Sequence, residues 1–392
     1  MATNARVPTW LQHVFHTLRR PKDAALHSSG RPTLSGILSS RWLRLVASAV
    51  TAGLILLLLA RNYGTLPSVS AWPRPKADGL LRPLDMTRAP GIDWSQFAYT
   101  QYVTNSEYLC NSIMLFEVLH RLGSKADRVI MYPSHMVDRE AREADTDDGR
   151  LLIKARDDYR VRLVPISVQH RNSADSTWAD SFTKLLAFNQ TQYSRVLSLD
   201  SDAVIMQTMD ELFLLPPCPV AMPRAYWLYP DKKMLSSQLM LVQPSQREFQ
   251  RVMEKINSAK SNDYDMEIVN DLYQDSAMIL PHRPYDLLTA EFRTDNHVNY
   301  LGSDREAWDP VAIYNEAKFV HFSDWPVPKP WISMSEQVRA EKQPKCHTKD
   351  GVEQCVERDF WNGFYDDFRR RREVSLLAPP PPPPPLFFSP PE

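Results

Sequence analysis

Features that would place this chain in several familiar functional classes are missing from its sequence. Lys and Arg number 46 against 47 Asp and Glu, whereas nucleic-acid-binding proteins usually carry a strong basic excess. The chain has only 11 glycines in 392 residues, and no Gly-rich phosphate loop stands out among them. No Ser-His-Asp arrangement stands out either. These absences argue against nucleic-acid binding, P-loop chemistry and triad hydrolysis.

Cysteine is also scarce. The four cysteines form no CxxC pair, so a zinc ribbon or a thioredoxin-like motif is not expected. Cys346 and Cys355 lie close together in a loop-like stretch. Either a disulfide in an oxidising compartment or two free thiols fits that pattern, and the sequence leaves both open.

Long hydrophobic runs are absent except for one near the N-terminus. Residues 45–60 carry no charge, and with Trp42 and Leu43 the stretch approaches the roughly 20 residues that a membrane span needs. The arm before it carries seven Lys and Arg residues and the single acid Asp23, so the positive-inside rule places that arm in the cytosol. We therefore predict a cytosolic arm (1–42), a transmembrane anchor (43–61) and a Pro-rich stem (62–95).

After the stem, apolar patterns alternate between strand and helix. Such alternation predicts an α/β fold with a mostly parallel, covered sheet, which binds ligands at the carboxyl ends of its strands. The predicted strands are 97–103, 127–132, 161–166 and 195–200, and the predicted helices are 106–122, 151–159 and 177–190.

The end of the chain has a different composition. Residues 336–378 are interpreted as a C-terminal extension, and residues 379–392, with seven consecutive prolines, as a disordered tail. The basic cluster at 369–372 is expected to share the extended, solvated character of that tail.

The motif that carries chemistry is a pair of acids at the end of an apolar strand. Residues 195–199 read Arg-Val-Leu-Ser-Leu, and Asp200 and Asp202 follow them. Residues i and i+2 of an extended chain face the same side, so the two carboxylates can converge on one point. Two hard oxygen donors suit Mg²⁺ or Mn²⁺ that bridges a diphosphate. The similar pair Asp145 and Asp147 lacks a preceding strand and is interpreted as a solvated loop.

The surroundings of this pair resemble a known family. The segment 182–213, from Phe-Thr-Lys to Asp-Glu-Leu-Phe, is similar to the core of the family 8 glycosyltransferases, the glycogenin-like family. The resemblance covers roughly residues 97–331. It implies a GT-A (Rossmann-like) nucleotide-sugar-binding domain over 96–335, a Mn²⁺ or Mg²⁺ ion, a UDP-sugar donor and retention of anomeric configuration.

The resemblance also implies roles for five residues around the reacting centre. Asp200, Asp202 and His321 would bind the metal, although a lone His after an apolar strand is more often a core residue. Lys184 would act near the phosphates and sugar of the donor, with an exposed helix lysine as the alternative. Asp265 would contact sugar hydroxyls or assist at the reacting face, and a solvated acid at a helix start is its alternative.

A second set of residues would hold the nucleotide. Thr104 and Asn105 would hydrogen-bond the uracil, and Tyr108 would stack on it. Asp200 would also contact the ribose, and Lys329 the diphosphate. A helix N-cap at Asn105 and a core tyrosine at 108 are the structural alternatives.

The donor side departs from the glycogenin-like pattern. Residues 236–238 read Ser-Ser-Gln instead of Asn-Ser-Gly, and 265–267 read Asp-Met-Glu instead of Asp-Gln-Gly. Segments 264–267 and 280–292 resemble a fungal Golgi branch of N-acetylglucosaminyltransferases, which implies UDP-GlcNAc as donor.

The expected function is therefore retaining, metal-dependent transfer of a sugar, GlcNAc by this resemblance, to a glycan or glycoprotein hydroxyl. The chain is expected to be a single-pass type II protein of the Golgi membrane with its catalytic domain in the lumen. Use of UDP-glucose or UDP-galactose is one alternative. A non-catalytic, membrane-tethered glycan-binding scaffold is another.

Overall fold

The computed structural model describes residues 91–169, 180–260, 263–349 and 351–377. Across those ranges, no helix combines the length and apolar character that a bilayer crossing requires. The predicted cytosolic arm, the predicted anchor at 43–61, most of the stem and the tail at 379–392 lie outside the described residues.

A seven-stranded sheet forms the centre of the described fold, in the order β3-β2-β1-β4-β7-β6-β8. Strands β3, β2, β1 and β4 run parallel to one another, whereas β7 is antiparallel to both of its neighbours. A second sheet has the order β5-β10-β9, and β11 and β12 form a hairpin. The strands are β1 Phe97–Tyr102, β2 Asp127–Pro133, β3 Val161–Ile166, β4 Arg195–Leu199, β5 Ala203–Ile205, β6 Val220–Pro223, β7 Leu239–Val242, β8 Met278–Leu280, β9 Leu287–Leu288, β10 Phe319–His321, β11 His347–Lys349 and β12 Val352–Gln354.

Helices connect and cover these strands. Several begin at polar N-cap residues whose side chains accept from the backbone N–H groups of the first turn, as at Thr146 and Ser245. The α-helices are α1 Ser106–Arg121, α2 Asp147–Tyr159, α3 Gln246–Asn257, α4 Asp265–Tyr273, α5 His282–Tyr285, α6 Val298–Leu301, α7 Pro310–Glu316, α8 Glu336–Lys342 and α9 Val356–Leu377. Short 3-10 helices cover Trp94–Gln96, Ser181–Asn189, Asp210–Leu214, Tyr226–Leu228 and Thr289–Arg293.

The prediction of an α/β fold with a largely parallel central sheet is confirmed. Each predicted strand overlaps one of β1 to β4 closely, and the helices predicted at 106–122 and 151–159 correspond to α1 and α2. The helix predicted at 177–190 differs, because its described part is a 3-10 helix over Ser181–Asn189.

The prediction for the basic cluster at 369–372 is wrong, because these residues lie within helix α9. Arg371 forms an ion pair with Glu117 at 2.9 Å, and Arg372 donates to the carbonyl of Glu107 at 2.8 Å. The apolar side of α9 packs into the core with β10; the buried aromatics on it are Trp361, Phe364, Tyr365 and Phe368. Helix α9 of the predicted C-terminal extension is therefore part of the folded core.

The question that the sequence left open for Cys346 and Cys355 is answered by the structure. The two residues form a disulfide beside the β11–β12 hairpin. Cys110 and Cys218 are free thiols.

Candidate functional site

The site is built where two parallel strands of the central sheet end side by side. Strands β1 and β4 are adjacent and in register, so the residues that follow them meet at one edge. Thr104 and Asn105 follow β1, and Asp200 and Asp202 follow β4. In open α/β sheets, the carboxyl ends of the strands form the ligand-binding crevice.

Strand pairing brings His321 to this edge from far along the chain. Strands β5 and β10 are antiparallel, with Ala203 opposite His321, and the N–H of Phe322 donates to the carbonyl of Asp202 at 2.9 Å. The imidazole Nε2 lies 3.1 Å from an Asp202 oxygen and 3.7 Å from an Asp200 oxygen. The three side chains that the resemblance assigned to a metal are thus brought together.

Each acid of the pair uses its other oxygen to contact a lysine. Asp200 Oδ1 lies 2.7 Å from Lys184 Nζ, and Asp202 Oδ2 lies 2.6 Å from Lys329 Nζ. The second oxygens, Asp200 Oδ2 and Asp202 Oδ1, are the ones that face His321. One oxygen of each acid therefore faces the imidazole of His321, and the other oxygen contacts a lysine ammonium.

The residues present fit a divalent cation. The candidate donor atoms of Asp200, Asp202 and His321 all lie within 4.8 Å of one another. Two carboxylate oxygens and one imidazole nitrogen form a donor set that suits Mn²⁺ or a similar ion. His321 Nδ1 is buried without a hydrogen-bond partner in the described structure, and Nε2 is the nitrogen that faces the acids.

Electrostatics in the site reflect burial and the two lysines. Burial raises the pKa of Asp202, but His321 and Lys329 outweigh burial and hold that pKa well below its ordinary range. Burial also raises the pKa of Asp200, to about 6, with help from the charge of Asp202 and against the effect of Lys184. Asp200 therefore titrates at a higher pH than Asp202 does.

Lys184 is the buried link between the acid pair and helix α4. Its Nζ contacts Asp265 at 2.7 Å as well as Asp200, and it donates to the carbonyl of Ser237 at 3.2 Å. Burial lowers the pKa of this ammonium, but Asp200 and Asp265 outweigh burial and raise the pKa well above its ordinary value. The side chain is only 3% exposed, so the exposed helix lysine considered as an alternative is not what the structure contains.

Asp265 is likewise buried and not a solvated helix-start acid. It is the first residue of α4, and its side chain is 5% exposed. Its Oδ2 is held by Lys184, and its N–H donates to the Ser181 hydroxyl at 3.3 Å. The two residues predicted as catalytic thus form one buried ion pair next to the metal-site candidates.

The residues predicted to hold the nucleotide have structural contacts of their own. Asn105 is the N-cap of α1, and its side-chain oxygen accepts from the N–H groups of Glu107 and Tyr108. The Tyr108 ring packs edge-on against Trp331, with 5.7 Å between centroids. Asn105 and Tyr108 follow Thr104 at the edge of the crevice. The side-chain oxygen of Asn105 already accepts hydrogen bonds from the first turn of α1, so contacts with uracil stay a prediction.

Sequence reasoning gave no role to Asp286, which lies under the site between α5 and β9. The residue is fully buried, and no well-formed hydrogen bond reaches either carboxylate oxygen within the described structure. Burial raises its pKa to about 8, although the Ser236 hydroxyl lowers that pKa, and Asp200 and Lys184 are close enough to act on it. An acid directly before Leu287 and Leu288 was the only sequence signal for such a position.

Sequence reasoning also missed the anchor of the loop between His321 and Lys329. Asp324, 4% exposed, accepts from the indole N–H of Trp361 and from the Tyr365 hydroxyl, and it pairs with Arg293. Helix α9 therefore holds the loop that carries one side of the site. The aromatic spacing of residues 360–368 was a usable signal, because it is typical of a buried helix face.

Comparisons with known proteins agree with a transferase. No family model matches the chain. A protein named glucose N-acetyltransferase 1 from Gibberella zeae is 65% identical over 280 residues, which cover 71% of this chain and 62% of that relative. The chain thus spans less than two thirds of that relative's length. A protein of the same name from Aspergillus fumigatus is 48% identical over 295 residues, which cover 71% of this chain and 77% of that relative.

Among solved structures, the bifunctional glycosyltransferase WbbM has a TM-score of 0.45 and 16% identity, over 72% of this chain and 50% of that one. The sequence relatives, and not this distant structural likeness, establish the family. The chain belongs to the glucose N-acetyltransferase 1 family of transferases.

Proposed function

We propose that the chain is a retaining, metal-dependent glycosyltransferase that moves GlcNAc from UDP-GlcNAc to a glycan hydroxyl. The observation that carries the proposal is the convergence of Asp200, Asp202 and His321 between two lysines at the carboxyl edge of the sheet. The proposal includes a GT-A fold of glycosyltransferase family 8. Support for the fold comes from the strand order and from the motifs that resemble that family.

Asp200, Asp202 and His321 would hold a Mn²⁺ or Mg²⁺ ion. When bound there, the ion supplies Lewis-acid stabilisation of charge on a diphosphate. Lys329 and Lys184 lie on opposite acids of the pair and would contribute positive charge at the same place. Fixed charges of this kind stabilise a leaving group without reorganisation at the moment of reaction.

Retention without a covalent intermediate is favoured by the state of Asp265. Its carboxylate shares Lys184 with Asp200, and it is paired with that ammonium at 2.7 Å. A carboxylate neutralised in this way is a poor nucleophile. We therefore propose front-face substitution, in which the bond from the anomeric carbon to the diphosphate breaks as the acceptor oxygen bonds to the same face. The departing phosphate oxygen takes the acceptor proton.

The donor sugar is proposed to be GlcNAc because the relatives' name contains N-acetyl and glucose and because segments 264–267 and 280–292 resemble GlcNAc transferases. Read literally, that name describes acetyl transfer to glucose, which is the second candidate function. The paired acids, histidine and two lysines favour a diphosphate leaving group over an acetyl thioester, since a thioester needs no divalent-cation site.

The proposed location is the Golgi membrane, as a single-pass type II protein with a lumenal catalytic domain. The Cys346–Cys355 disulfide supports an oxidising compartment. The uncharged run at 45–60 and the basic arm before it support the membrane anchor.

A donor panel tests the function. The chain is incubated with UDP-GlcNAc, UDP-glucose, UDP-galactose or acetyl-CoA plus glucose, each with Mn²⁺ or with EDTA. We expect UDP release to be fastest from UDP-GlcNAc and to be lost with EDTA and in Asp202→Asn. Faster release from another UDP-sugar would replace GlcNAc, acetylation of glucose would replace the reaction class, and UDP binding without any turnover would favour the scaffold.

A further inference from the structure

One aromatic side chain near the site is exposed to an unusual degree. Trp325 is 93% exposed. The other large apolar side chains that are exposed in the described ranges are aliphatic, and the most exposed of them, Ile332, is 50% exposed. Single exposed apolar residues need no explanation in general, but a nearly bare indole beside a candidate active site needs one.

The loop that carries Trp325 is anchored on both sides of the indole. Before it, the buried Asp324 carboxylate is bound by Trp361 and Tyr365 of α9 and by Arg293. After it, Val327 is buried, and its N–H donates to the carbonyl of Asp324 at 2.8 Å to close a tight turn. The indole therefore stands exposed on a turn whose residues on either side are held by buried contacts.

Along the chain, this turn also lies between two residues of the site. Trp325 is four positions after His321 and four before Lys329, and both of those side chains contact Asp202, at 3.1 and 2.6 Å. Because four residues span at most about 14 Å, the Cα atom of Trp325 lies within that distance of the Cα atoms of His321 and Lys329. A saccharide of two or three linked rings that reacts beside the acid pair is long enough to extend over such a distance.

We propose that Trp325 is a stacking platform for a sugar ring of the glycan acceptor, one or two rings away from the hydroxyl that receives the transferred sugar. An indole face offers a rigid apolar surface that matches the C–H face of an uncharged pyranose, at a low cost in side-chain entropy. This inference rests on the proposed function, because it places the acceptor next to the proposed transfer site. It adds the acceptor class, a saccharide longer than one ring, and a residue that selects it.

The test uses the full chain with UDP-GlcNAc and Mn²⁺. Acceptors are gluco-, galacto- and manno-oligosaccharides of one, two and three rings. We expect Trp325→Ala to raise the KM for accepted di- or trisaccharides about tenfold, which is at the low end of the effect of replacing an aromatic stacking partner of a nucleic-acid base by alanine. The KM for single-ring acceptors, the release of UDP without acceptor and the binding of UDP should not change. Trp325→Phe should restore most of the loss.

Val311→Ala is the matched control, because it removes an exposed apolar side chain on α7, outside the turn. Thermal unfolding of each variant separates a folding defect from a binding defect. Equal KM values for wild type and Trp325→Ala with every accepted length would overturn the proposal. The proposal would also be overturned if a chain that releases UDP transferred sugar to none of these saccharides. Binding to phosphatidylcholine vesicles that depends on Trp325 would overturn it as well. Absence of UDP binding and release would instead refute the proposed function.

Discussion

The substitution Asp286→Asn tests whether the acid buried under the site is protonated. Burial raises the pKa of Asp286 from 3.8 to about 8, so at pH 7 the carboxyl is neutral in the folded chain and ionised in the unfolded chain. The ordinary pKa of 3.8 lies roughly three pH units below pH 7. Keeping the carboxyl protonated in the folded chain therefore costs about 4 kcal/mol of stability at pH 7. Asparagine has nearly the same shape and no titration, so it should remove this cost.

The direction of the pH dependence follows from the raised pKa. Between about pH 4 and pH 8 the unfolded carboxyl has released its proton and the folded one has not. Stability from this group therefore falls as pH rises through that range and levels off above pH 8. The stability of Asp286→Asn relative to wild type should increase by about 1.4 kcal/mol for each pH unit.

Urea unfolding at pH 5, 6 and 7 measures this difference for wild type and variant. The slope of the stability difference against pH is decisive, because any effect of the amide that does not depend on pH cancels in that slope. Asp304→Asn, at an exposed acid, is the control and should give a flat difference. A flat difference for Asp286→Asn would refute the reasoning, since it would mean that the buried carboxylate is ionised in the folded chain.

Three further outcomes follow from the site. Lys184→Met leaves the buried carboxylates of Asp200 and Asp265 without their shared cation, so urea unfolding should show a loss of about 3–5 kcal/mol, and UDP release should disappear. Because the pKa of Asp200 is raised to about 6, protons compete with the metal ion for this carboxylate below that pH. The Mn²⁺ affinity measured by calorimetry should therefore fall as the pH drops below 6 and stay level from pH 7 to pH 8. Trp361→Phe removes a donor to the buried Asp324 and should cost about 1–3 kcal/mol in urea unfolding.

The parts of the fold that local patterns control were predictable. Strands β1 to β4 are short apolar runs with helical segments between them, and this alternation along the chain implies a parallel sheet. The site at their carboxyl ends follows from the spacing of Asp200 and Asp202. The contact of these acids with His321 came from resemblance, and the structure supplies its physical basis in the β5–β10 register.

The parts that depend on distant contacts were not predictable from spacing. Asp286 and Asp324 differ from other acids in the sequence only in what surrounds them after folding. The basic residues 369–372 read as a solvated tail, yet the aromatic face of α9 buries the segment before them and fixes it as helix. Pairing of Cys346 with Cys355 likewise depends on the hairpin that brings them together.

The most direct test of the central claim is a calorimetric titration of Mn²⁺ into the UDP-loaded chain. Wild type and Asp145→Asn, which changes the exposed acid pair outside the site, should each bind one ion. Asp202→Asn and His321→Leu should lose that binding, because each removes one of the three converging donors. Unchanged Mn²⁺ binding in Asp202→Asn and His321→Leu would contradict the account.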